Sequence, residues 1–165
     1  FRRRTRHTES LATVRRVPNE PGMAAKVFTL LAEAGVNVDM IVQASASTGT
    51  ADISFTVPGS AAAKVRDVLQ EKQDELGYQS FDIDANVGKV AVVGVGMKTH
   101  SGLAAKFFNA LSDEGVNVLM ISTSEIRIAA LVPLEQLQDA VRALHTAYGL
   151  DAEQVEAVVY GGTGR

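Results

Sequence analysis

Two glycines and two asparagines stand at matching places in this chain, and together they have the chemistry to hold a small zwitterion. Gly22 and Gly102 each precede an apolar stripe of helical period, and Asn37 and Asn117 each follow its end. A glycine lets a ligand approach the backbone with no Cβ in the way. The first N–H groups of a helix lack partners inside it and carry partial positive charge, which suits a carboxylate. An ammonium needs acceptors, which Asn19, Asp39, Gln43 or backbone carbonyls could supply near the first glycine. The same residue types also have a purely structural use, since glycine stops helices and asparagine caps turns. Spacing alone leaves both readings open.

Other chemistry is poorly represented. Gly94-Val-Gly96 followed by Gly102 has the wrong spacing for a dinucleotide loop, and Gly161-Gly-Thr-Gly164 has no helix or Lys-Ser/Thr after it. Ser122, Thr123, Ser124 and Glu125 offer hydroxyls and a carboxylate, but no His or Lys is held beside them as a base. Asp52, Asp82 and Asp84 lack calcium-loop spacing. His7, His100 and His145 lie in separate segments without metal-ligand spacing, and there is no Cys. No catalytic residue, metal or cofactor is expected.

The elements that must position the glycines and asparagines occur twice. Gly22–Ile41 returns as Gly102–Ile121, with 12 of 20 positions identical. A repeat at this period takes precedence over any local motif. In the first copy, residues 12–17 alternate as a strand and Pro18–Gly22 is a tight connection. Met23, Val27, Leu30, Leu31 and Ala34 recur at helical spacing, with Gly35 as the stop. Residues 36–42 and 51–57 read as strands, a helix carries Ala61, Val65, Val68, Leu69 and Leu76, and residues 80–83 form a last strand. The second copy repeats the order with strands at 89–95, 116–121, 126–132 and 155–160. Its helices carry Leu103, Phe107, Ala110 and Leu111, then Leu134, Leu137, Val141, Leu144 and Tyr148, and Ser101 is a candidate N-cap.

A βαββαβ order gives an antiparallel sheet with both helices on one face. The expected fold class is therefore α+β, two ferredoxin-like domains in tandem. The expected divisions are a basic tail over 1–10, domains over 11–86 and 87–160, and a flexible tail over 161–165. Val38, Met40, Ile41, Val92, Val93 and Ile121 are expected on the helix-free side, buried against a partner. Net charge is −3, which argues against nucleic-acid or membrane-surface binding. Arg2, Arg3, Arg4 and Arg6, with His7, form the one basic run, which reads first as a solvated end and second as a phosphate-binding arm. No stretch is long and apolar enough to span a membrane. A soluble cytoplasmic protein is the expectation.

Pro18–Ile41 and, more strongly, Val87–Ile128 with its Gly-Met-Lys and Ser-Thr-Ser-Glu-Ile-Arg-Ile runs resemble the regulatory region of bacterial aspartate kinases, as does the ending Glu156–Arg165. The resemblance covers roughly residues 12–165 and implies a tandem pair of ACT domains. It implies binding of end-product amino acids, threonine first and lysine second, with inhibition of a separate kinase domain that phosphorylates aspartate with ATP. It also implies a homodimer in which the first ACT domain of one chain meets the second of its neighbour, and association with an aspartate kinase catalytic chain. Carried over by position, the effector residues are Asn19, Pro21, Gly22, Ala24, Asn37, Asp39 and Gln43 in the first copy. In the second they are Met97, Thr99, His100, Gly102, Asn117, Ile121, Ser122 and Thr123. The chain departs from the family's pattern in its first ten residues, at Ala44-Ser45, at Val118-Leu119 and at Ala129. The alternative is a constitutive assembly module that binds no effector.

Overall fold

The computed structural model describes residues 9–94, 102–124, 127–149 and 157–162. They divide into two units, one ending at Ala85 and one running from Asn86 to Thr163.

In the first unit, strand β1 (Glu9–Pro18) leads to helix α1 (Met23–Glu33), then to strands β2 (Ile41–Ser45) and β3 (Thr50–Pro58). A short 3-10 turn (Gly59–Ala61) opens helix α2 (Ala62–Glu71), and a single helical turn, α3 (Gln73–Leu76), follows. The unit closes with the first part of strand β4 (Ser80–Gly94). The strand order is β2-β3-β1-β4. Ala12, Val14, Ile53, Phe55 and Val57 face the helices and pack with Val27, Leu31, Val65, Leu69 and Leu76. Each large side chain removed from water in this way contributes roughly 1.5–3 kcal/mol.

The second unit repeats the arrangement. The second part of β4 is followed by helix α4 (Leu103–Asp113), strands β5 (Met120–Thr123) and β6 (Arg127–Pro133), a 3-10 turn (Leu134–Gln136), helix α5 (Leu137–Gly149) and strand β7 (Ala157–Gly162). Here β4 lies between β6 and β7, and β5 is outside β6. The core joins Val90, Val92, Ile128, Ala130 and Val132 to Leu103, Phe107, Leu111, Leu137, Leu144 and Tyr148.

Both unit-opening helices stop in the same way. Gly35 and Gly115 take φ of 78° and 71°. Gly35 N–H donates to Ala32 O and Val36 N–H to Leu31 O; Gly115 and Val116 repeat this onto Ser112 and Leu111. These are paired Schellman turns, in which left-handed glycine lets two orphan carbonyls find donors. Val36 and Val116 then bury beside Leu31 and Leu111. The repeated Gly-Val pair is thus set by backbone geometry and core packing.

Several expectations change. Glu9 and Ser10, assigned to the tail, belong to β1, and Ser10 is fully buried opposite Val57. Gly161 and Gly162, also assigned to a tail, extend β7 and pair with Val90 and Lys89. The strand expected from residue 36 starts only at Ile41. Met40 N–H is taken by the Thr56 hydroxyl at 2.9 Å and Asp39 N–H by the Thr56 carbonyl at 3.0 Å, which displaces the regular ladder. Val38 and Val92, expected on the helix-free face, pack in the helix-side cores. The two strands expected at 80–83 and 89–95 are parts of one. β1 also carries a bulge between Val14 and Val17, where Arg16 has φ of 56° and donates its N–H to Asp52 Oδ1 at 3.0 Å.

Candidate effector site

The entrance to α1 is a tight turn. Met23 N–H donates to Glu20 O at 3.2 Å, and Gly22 has φ of 91° and ψ of −9°. Proline then glycine at the central positions, with positive φ at the second, is the pattern of a type II turn. Pro21 and Gly22 are exposed, so the open first turn of α1 faces solvent, with Ala24 partly buried behind it. A methyl placed on Gly22 would meet nothing within 4 Å. The surface beside Gly22 is open, and the backbone angle is what requires glycine.

Asn19 sits just before this turn, fixed by its own N–H to Gly49 O at 3.0 Å. Its side-chain Nδ2 donates to Ser45 Oγ at 3.2 Å, and Gln43 Nε2 donates to its Oδ1 at 3.5 Å. Antiparallel pairing of β2 with β3 brings Gln43 and Ser45 back toward the start of α1. Asn19, Gln43 and Gly22 thus gather at one end of the unit. Asn37 follows the other end of α1, about 16 Å away along an eleven-residue helix. Asp39 is exposed beyond it, its N–H on Thr56 O. The structure does not bring Asn37 into the Asn19 cluster of its own unit.

In the second unit Gly102 is exposed at the start of α4, but with φ of −83° and ψ of −8°. Any L-residue adopts that backbone, and a Cβ there would meet nothing within 4 Å. Asn117 is exposed after the Schellman turn, and its backbone N–H is held by Gln136 Oε1 at 2.8 Å. Ile121, Ser122 and Thr123 are exposed on β5. Met97, Thr99, His100 and the candidate cap Ser101 lie outside the described residues.

Two positions escaped the sequence reading. Ser45 attracted notice only as a departure from the family pattern, yet it holds Asn19. Tyr148 appeared only as a core residue, yet its hydroxyl donates to Leu103 O at 2.6 Å in the first turn of α4. Burial pushes its pKa up to about 12. Lys106 Nζ stands 5.0 Å from the centroid of the same ring. Among the described residues no group of three or more His, Cys, Asp or Glu could hold a metal ion, and no helix is long and apolar enough to cross a membrane.

Two βαββαβ units whose opening helices start at exposed glycines define a tandem ACT-domain protein, and residues 15–73 and 90–148 each match the ACT domain model. Over 98% of its length the chain is 45% identical to the aspartokinase of Corynebacterium glutamicum, of which it spans 38%. It is 42% identical to a chain of the solved aspartokinase alpha and beta subunits, with a TM-score of 0.81 over 86% of this chain and 93% of that one. The solved regulatory subunit of aspartate kinase from Thermus thermophilus is 35% identical, with a TM-score of 0.80 over 86% of this chain and 93% of that one. The chain belongs to the aspartokinase family, and it is the regulatory region of those enzymes that it resembles.

Proposed function

We propose that this chain is an amino-acid sensor for an aspartate kinase. A free amino acid, threonine first and lysine second, binds at the helix entrances of the ACT domains and lowers ATP-dependent phosphorylation of aspartate by a catalytic chain or domain. The observation that carries the reading is the Asn19–Gln43–Ser45 cluster beside the open first turn of α1. The turn offers backbone donors and a favourable dipole to the carboxylate, and Asn19 and Gln43 offer carbonyl acceptors to the ammonium. A homodimer supplies the rest of each site from the partner. That arrangement accounts for site residues, such as Asn37, that stand far from the cluster of their own unit.

Regulation follows as a population shift. An effector that binds one arrangement of the dimer more tightly raises its population, and the shift equals the difference in binding free energy. The test is calorimetric titration of the purified chain with threonine and lysine, with leucine as control. Saturable heat from threonine or lysine alone, lost in Asn19→Ala and Gln43→Ala, is expected. No heat at millimolar ligand from folded protein would overturn the sensor reading and leave assembly as the function.

A further inference from the structure

Gln136 ends the 3-10 turn that opens α5, and its side-chain amide closes on the turn that ends α4. Its Oε1 accepts the Asn117 N–H at 2.8 Å, and its Nε2 donates to the Gly115 carbonyl at 3.0 Å. One amide therefore grips both peptide groups that flank Val116. Reversing it would set donor against donor and acceptor against acceptor, so its partners fix its orientation. Among the described residues of the first unit, no side-chain amide spans the two peptide groups that flank Val36. Pro58 and Pro133 both precede 3-10 turns, and the residue three places on is Ala61 in one and Gln136 in the other. A methyl group can neither donate nor accept.

We infer that Gln136 is a positioning residue for the second unit's effector site, holding Asn117 in place before the amino acid arrives, and that Asn37 lacks this hold. The inference rests on the proposed effector-binding function. A group already fixed loses less freedom on binding, so the ligand contacts made at Asn117 are the stronger of the pair.

The test uses Gln136→Ala and Gln136→Glu in the full 165-residue chain, with Val68→Ala in the first unit as a destabilised control. Glutamate keeps the acceptor for Asn117 and loses the donor to Gly115. Threonine Kd is measured where all variants are folded, and hydrogen exchange is read at the Asn117 amide. Gln136→Ala is expected to speed that exchange and weaken threonine binding about 3- to 10-fold, the loss of one ordinary hydrogen bond's worth of positioning. Gln136→Glu, which sets a carboxylate oxygen against the Gly115 carbonyl, should weaken binding at least as much as Gln136→Ala, and Val68→Ala should bind as wild type. Faster exchange with unchanged Kd would make Gln136 a loop brace only, overturning the inference and leaving the sensor reading intact. If wild type itself gives no saturable heat, the sensor reading fails and the inference falls with it.

Discussion

Gly22 and Gly102 are the same letter at the same place in the repeated segment, yet only one of them needs to be glycine. Gly22 occupies the left-handed region that the Pro21-Gly22 turn demands, whereas Gly102 has ordinary helical angles. Forcing a Cβ into the left-handed region costs about 1–2 kcal/mol. Gly22→Ala should therefore lower unfolding free energy in urea by about that much. Gly102→Ala should stay within about 0.5 kcal/mol of wild type, as open surface positions do. Equal losses in the two variants would refute the distinction. The sequence carried the signal for this difference in Pro21, which has no counterpart before Gly102. The candidate ligands Asn19 and Gln43 were legible from their residue types near Gly22 and from the family resemblance. Their mutual hydrogen bond depends on how β2 returns beside the turn, which residue types alone do not specify.

The helices were the most legible elements, because α1, α4 and α5 place apolar residues at every third or fourth position and the buried stripes follow that period. The strands were less so. The late start of β2 recurs in β5, which begins at Met120 opposite Leu131, so the Thr56 hydroxyl accounts only for the last residue of the delay. The bulge at Arg16 depends on Asp52, 36 residues away. Neither leaves a mark on local alternation. Helix-to-helix contacts were equally hidden. Tyr148 ties α5 to the first turn of α4 through a buried hydroxyl that must stay protonated to donate. Its folded pKa of about 12 lies above the ordinary value near 10, so the folded state retains the proton more strongly. The associated stability is complete below about pH 10 and is lost as pH rises toward about 12, amounting to roughly 2–3 kcal/mol. Tyr148→Phe should remove this alkaline loss. It should also cost about 1 kcal/mol at neutral pH, because the Leu103 carbonyl loses a donor. Denaturant unfolding of both proteins across the alkaline range checks the sign, and parallel curves would refute it.

The repeat, the βαββαβ order and the α+β class were all readable in the whole chain, since they follow from two copies of one hydrophobic pattern. Of the large apolar residues left open, Ile41 and Ile121 were expected to meet a partner, and Val42 and Leu119 were not. Ile41 and Val42 on β2, and Leu119 and Ile121 near β5, are 52%, 39%, 39% and 46% exposed. β2 and β5 are outermost in their units and leave backbone donors and acceptors unpaired on one side. The proposed homodimer would use these edges. Ile41→Arg and Ile121→Arg should then convert dimer to monomer in sedimentation experiments with little change in thermal midpoint. A dimer that survives both changes would exclude the edges as its interface. The two left-handed glycines that end α1 and α4 bear on redesign. Gly35-Val36 and Gly115-Val116 stand in both copies at points that backbone angle and core packing dictate. The helix stop is one part of what the copies still share, beside the Ala-Ala-Lys run and the Asn-Val pair. Under the proposed function, the positions where the copies differ, Asp39 against Leu119 and Ala61 against Gln136, are the first to randomise in a library built to alter effector choice.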